Sequence, residues 1–210
     1  MVLHSVPSTD KDPTPRIIAS LTETPARIVY LSTTGVYGDT SEVDATTVPQ
    51  VRTNRERLRL DAEQAVASGP WSSMILRPAA IYGPGRGVHA SMRRGTFRLY
   101  GDRANIISRI HVDDLAAVVE AAMLSSYTGA WPVADLHPSS SYEIASFCAS
   151  LMRIPMPPHE PAGSAPPTRQ SNRRVDGRAI LQLLGLELRY PSYREGIPAC
   201  IAQENRERLG

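Results

Sequence analysis

Short unbroken apolar runs alternate along this chain with stretches whose apolar residues recur at helical spacing, and the alternation predicts the elements. The first run, Val2 to Val6, ends at Pro7 and predicts a short buried strand; Pro7 to Pro13 is turn material, and a helix through Arg16 to Leu21 follows. Ile28-Val29-Tyr30-Leu31-Ser32 is rich in β-branched residues and has no polar alternation, the pattern of a central parallel strand. A polar loop runs from Thr33 to Arg52. Thr53 and Glu56 have the spacing of a capping box, and Leu58, Ala62, Ala65 and Val66 mark a helix that Gly69-Pro70 stops. Met74-Ile75-Leu76 predicts the next strand, Tyr82 to Gly87 a tight turn, and Ile106 to Ile110 another strand, leading into a helix capped by Asp113 that reaches Leu124. Strands that alternate with helices in this way predict an α/β fold, with a mainly parallel sheet and helices on both faces.

Beyond Trp131 to Asp135 the character changes. Ser140 and Glu143 can open a helix ending near Leu151, and Pro155 to Pro167 holds six prolines in thirteen residues, a linker composition. Helices near Val175 to Leu184 and after Tyr193 complete the pattern. The chain therefore divides into a core over residues 1–135 and a small C-terminal α+β subdomain over 136–210.

Composition narrows the function classes. With 210 residues and 41% hydrophobic content the chain can bury one sizeable core. A net charge of +2 gives no electrostatic footprint for nucleic acid, so no nucleic-acid partner is expected, although Lys11 is the only lysine and the other basic residues are arginines. No stretch approaches the roughly 20 apolar residues of a spanning helix, so no membrane partner is expected either. Cys148 and Cys200 lie far apart without CxxC spacing, which predicts no zinc site and suits a reducing cytoplasm.

Three segments carry the candidate chemistry. Tyr30-Leu31-Ser32-Thr33-Thr34-Gly35-Val36-Tyr37-Gly38-Asp39 delivers hydroxyls at the carboxyl end of a strand, where ligands bind in open α/β sheets. Leu76-Arg77-Pro78-Ala79-Ala80-Ile81-Tyr82-Gly83-Pro84-Gly85-Arg86 and Arg109-Ile110-His111-Val112-Asp113-Asp114-Leu115 follow in order, each at a strand. Together these segments resemble the extended short-chain dehydrogenase/reductase family, which includes nucleotide-sugar epimerases and dehydratases. The resemblance implies a partial Rossmann-like fold lacking the first strands, because Met1 is followed at once by what resembles the family's fourth strand. An N-terminally truncated member would leave the Val2 to Val6 strand as a bare sheet edge open to self-association.

The resemblance also implies roles. Thr33 stands where the family places a substrate-binding hydroxyl; its plainer role is to cap a turn. Val6, Pro7, Ser32, Pro78, Ala79 and Ala80 match positions around the cofactor, NAD or NADP, while Tyr82 and Arg86 match the substrate side, with Arg86 facing a phosphorylated or nucleotide-sugar substrate. His111 and Asp113 read as a helix entry rather than a metal pair. Two family features are missing from the sequence. No glycine-rich phosphate turn precedes Thr33, and the catalytic Tyr-x-x-x-Lys positions hold Arg55 and Arg59. Arginine stays protonated and cannot replace a titrating tyrosine, but it can hold an anion. An i,i+4 pair shares one helical face, which predicts both guanidiniums beside the sheet's carboxyl edge. The expected function is thus that of an epimerase/dehydratase-like oxidoreductase homologue without the usual catalytic pair, or else a non-catalytic remnant that binds an anion or small molecule.

Overall fold

The computed structural model describes residues 1–6, 11–101, 105–165 and 172–209. Strands β1 (Val2–His4), β2 (Arg27–Leu31), β4 (Ser72–Pro78) and β9 (Gly129–Val133) form a sheet in the order β1-β2-β4-β9, parallel throughout. Helix α1 (Thr14–Ala19) joins β1 to β2, α2 (Asn54–Ala67) joins β2 to β4, and α4 (Val112–Leu124) precedes β9. The mainly parallel, Rossmann-like α/β architecture expected from the alternation is what the chain adopts.

The two faces of the sheet follow from the period of two along a strand. Ile28, Tyr30 and Ile75 pack against Ala62 and Val66 of α2, with Ile18 of α1 beside them. Val29, Met74 and Leu76 point the other way, onto Leu115, Val118, Val119 and Ala122 of α4 and onto Ile180 and Leu181 of α6 (Arg178–Leu184).

Smaller pairs surround the carboxyl edge. β3 (Glu42–Val43) pairs with β12 (Arg174–Val175), β5 (Ala80–Tyr82) with β8 (Arg109–His111), β6 (Leu99–Tyr100) with β11 (His159–Glu160), and β7 (Ile106–Ile107) with β10 (Ser139–Ser140); the last pair is antiparallel. A second apolar cluster joins Tyr82, Met92, Phe97 and Leu99 to Ile144, Tyr193 and Ile197, and so unites α3 (Val88–Arg93) with α5 (Ser141–Met152) and α7 (Tyr193–Leu209).

Both capping boxes form as their spacing predicts, Thr53 with Glu56 and Ser140 with Glu143. Several expectations need correction. The run Ile106 to Ile110 is two strands, because Ser108 turns away to accept the Val175 N–H at 2.8 Å and the chain changes partner there. The cap of α4 is not Asp113 but His111, whose Nδ1 accepts the Asp113 N–H at 3.2 Å. Val175 belongs to β12, and α6 begins only at Arg178. The polar loop contains a 3-10 helix, Thr34–Tyr37, and β3, while the described part of the proline-rich stretch contains β11; Pro166 and Pro167 lie outside the described residues. The buried face of α2 is also rotated from the apolar stripe, since it comprises Arg59, Ala62, Glu63 and Val66. Charged residues can occupy that face because each one is bonded there.

Candidate functional site

The carboxyl ends of β2 and β4 meet in a buried polar network. Ser32, just past β2, donates its hydroxyl to Glu63 Oε1. Arg77 of β4 grips the same carboxylate with Nε at 3.1 and 3.2 Å and Nη2 at 2.6 Å, and its Nη1 donates to the Tyr37 hydroxyl at 3.1 Å. The ion pair is almost sealed, with the Arg77 and Glu63 side chains 8% and 3% exposed. Burial works against the Arg77 charge, but the bonds and field of Glu63 outweigh it and leave its pKa raised. Burial, against the pull of Arg77, also raises the Tyr37 phenol.

The loop after β2 is held from its other side by Arg173. Its guanidinium donates to the carbonyls of Thr34 at 2.7 Å, Thr40 at 3.0 Å and Gly38. Gly38 has φ +58°, and a Cβ there would lie 2.1 Å from the Gln50 carbonyl oxygen, so the turn requires glycine. Thr33 lies between these anchors. It caps the 3-10 helix, its Oγ1 accepting the Gly35 N–H at 3.1 Å, and it stays partly exposed.

The arginine pair separates. Arg59 is buried and donates to the Tyr30 hydroxyl at 2.5 Å, next to His4, which bonds Thr14 at 2.8 Å. Arg55 is exposed in the first turn of α2. Arg59 turns inward onto Tyr30, whereas Arg55, one turn nearer the helix start, lies in solvent, so only Arg59 is drawn into the buried face of α2.

Val6 is exposed, and its N–H is bonded to His4 Nδ1 at 3.3 Å; Pro7 lies outside the described residues. Pro78 and Ala79 are buried at the end of β4, and Ala80 is exposed at the start of β5. Tyr82 is buried, donates to the Ser192 carbonyl at 3.3 Å, and packs so tightly that a Cβ at Gly196 would lie 2.1 Å from its oxygen. Arg86 is exposed on a turn closed by two mutual 3.0 Å bonds with Gly83. Glu204 of α7 holds that turn by accepting the Gly85 N–H at 2.5 Å and bonding His89 and Arg93.

His111 and Cys200 form a buried contact at 3.2 Å. Because Nδ1 accepts a backbone N–H, the ring's proton sits on Nε2 and points at the sulfur. Burial raises the thiol to about 12, so this pair makes no thiolate.

The N–H groups of Ser32, Gly35, Val36, Gly38, Ala79 and Ala80 all donate within the chain. These six N–H groups are therefore not free to cradle a pyrophosphate, and the edge offers a nicotinamide an apolar wall and a hydroxyl.

No family model matches the chain. A conserved protein of unknown function from Silicibacter pomeroyi has the same fold at a TM-score of 0.83, with 31% identity over 97% of this chain and 78% of that one. A protein from Methylobacillus flagellatus described as an NAD-dependent epimerase/dehydratase is 28% identical, with a TM-score of 0.65 over 86% of this chain and 65% of that one. The chain has the short-chain dehydrogenase/reductase-like fold that NAD-dependent epimerase/dehydratase family members share. A family fold solved with UDP-glucose and NAD, MoeE5, superposes at a TM-score of 0.73 with 22% identity, over 88% of this chain and 66% of that one. The 3-diazoavenalumate denitrifying reductase of a Streptomyces species is 28% identical over 151 residues, and this chain spans half of its length. Among the described residues, no helix is long and apolar enough to cross a membrane.

Glu63, Arg77, Arg173 and Glu204 escaped the sequence reading. Glu63 and Arg77 carried a signal, a charge at a core-facing helix position and another inside an apolar strand. Arg173 and Glu204 carried none, because the groups they hold are more than 110 residues away along the chain.

Proposed function

We propose that this chain forms the substrate-contacting edge of an NAD(P)-linked oxidoreductase of the epimerase/dehydratase type, with Thr33 as the hydroxyl that meets substrate. One observation carries the reading. The loop bearing Thr33 is held rigid at the carboxyl end of a central strand, by Glu63 and Arg77 on one side and by Arg173 on the other. Preorganisation of this kind suits a binding hydroxyl, whereas a plain turn requires none of it. When bound, a nicotinamide cofactor supplies or accepts hydride. Pro78 and Ala79 offer its flat ring an apolar wall, Ser32 holds the loop behind it, and Arg86 faces the substrate side, toward a phosphorylated group, on a turn next to the buried Tyr82. A nucleotide sugar is the substrate class of this reading, in a cytoplasmic setting that keeps both cysteines free. The open edge of β1 is its surface for self-association, which sizing chromatography tests.

A second reading, binding of an anion or small molecule without hydride chemistry, is favoured by Arg55 and Arg59, neither of which can act as the titrating acid. Thermal-shift titration with NAD, NADP and UDP-glucose separates the two. Saturable stabilisation by a dinucleotide, with weaker UDP-glucose binding in Thr33→Val and recovery in Thr33→Ser, supports the first. Stabilisation by phosphate alone, with no dinucleotide response, supports the second.

A further inference from the structure

Three distant segments of the chain meet at the Glu204 carboxylate of α7. Oε1 accepts the Gly85 N–H at 2.5 Å and lies 3.2 Å from His89 Nε2, while Oε2 holds the Arg93 guanidinium of α3. Glu204 is 7% exposed and His89 is fully buried. A carboxylate only accepts, so the imidazole proton sits on Nε2 and leaves Nδ1 as a lone pair. Among the described residues that Nδ1 has no hydrogen-bond partner. It lies beside Gly87, where a Cβ would come 3.5 Å from it and 3.0 Å from the Cβ of Tyr82.

A neutral ring tolerates this setting, but an imidazolium does not. The second proton has to enter at Nδ1, where it becomes a buried, charged N–H with nothing to donate to, and such a donor costs more than an idle lone pair. Glu204 attracts the added charge, yet Arg93 and the Gly85 N–H already engage that carboxylate. Burial, opposed by Glu204 and aided by Arg93 and Arg94, holds the imidazole below its ordinary value of 6.5. Parting α7 from the turn removes the conflict, because water then reaches Nδ1.

We propose that His89, Glu204 and the Gly85 turn form a proton-operated clasp, closed while the buried ring is neutral and opened when the ring is protonated, which frees the turn that carries Arg86. As regulation of the substrate side, the clasp rests on the reading of Arg86 given above; its opening does not. The closed form excludes a proton that the open form binds, so closure is fully favoured above pH 6.5 and weakens as pH falls below it. For a ring that stays neutral when closed, opening gains about tenfold between pH 7.5 and 5.5.

Amide exchange of the full chain, followed by NMR at those two pH values and corrected for the intrinsic rate at each, tests this. Protection at Gly85 should fall about tenfold at the lower pH, while Met74 to Leu76 in β4 keep theirs. In His89→Gln, whose amide can still donate to Glu204 but takes up no proton, the fall should shrink below about twofold. No fall in the wild type, an equal fall in His89→Gln, or an imidazolium at pH 7.5 in the closed form overturns the proposal. Should His89→Gln fail to fold, the wild type decides: a fall shared equally by Met74 to Leu76, or none at Gly85, overturns it. UDP-glucose binding should weaken as the clasp opens; opening at Gly85 without any change in that binding overturns the substrate role of Arg86 and leaves the clasp standing.

Discussion

Replacing Glu63 by glutamine should unsettle the edge that carries Thr33 more than any surface change. The substitution keeps the shape of the side chain and removes its charge. Arg77, 8% exposed, would lose the negative charge that its three contacts address, face an amide N–H2 in place of one carboxylate oxygen, and keep the Tyr37 hydroxyl as a neighbour. Leaving one partner of a buried ion pair uncompensated costs about 3 kcal/mol or more. For a chain of this size that corresponds to a fall in Tm of roughly 6–12 °C. Removing both charges is a different matter, because no buried ion is then left unpaired. Glu63→Gln with Arg77→Met should be clearly less destabilised than the sum of the two single changes, and a double-mutant cycle in urea unfolding measures the coupling. A loss below about 1 kcal/mol in Glu63→Gln, or additive single effects, would refute the view that this pair holds the edge together.

The pH dependence of stability offers another test. Burial lifts the Asp135 carboxyl, 2% exposed, to about 7 in the folded chain, against its ordinary value of 3.8 when unfolded. Folding therefore retains a proton that the unfolded chain gives up, so this group's contribution is full below about pH 4 and is lost as pH rises toward 7. The slope it imposes is at most about 1.4 kcal/mol per pH unit. Urea midpoints from pH 4 to 8 should show that slope flattened in Asp135→Asn; equal slopes would count against it. Glu204→Ala should cost about 2 kcal/mol, since it orphans the Gly85 N–H and the Arg93 guanidinium, and amide exchange at Gly85 should quicken. Unaltered exchange there would remove Glu204 as the anchor of the Arg86 turn.

Local pattern and tertiary packing determined different parts of this protein. Capping boxes, β-branched runs and turn residues act within a few positions, so the parallel sheet with its strands β1, β2 and β4, the helices between them, and the hydroxyl loop after β2 were legible from Thr53, Ile28 to Leu31 and Gly38 in the sequence alone, whereas β9 and α3 were not. The rotation of α2 was not legible. Apolar spacing placed Leu58 and Ala65 on its buried face, whereas burial of Arg59 and Glu63 depends on Tyr30 and Arg77, which other strands bring to them. The same holds for Arg173 on the Thr33 loop and Glu204 on the Gly85 turn. A buried charge is tolerable only beside a partner, and which partner arrives from a distant part of the chain is decided by the packing of sheet and helices, not by neighbours in sequence.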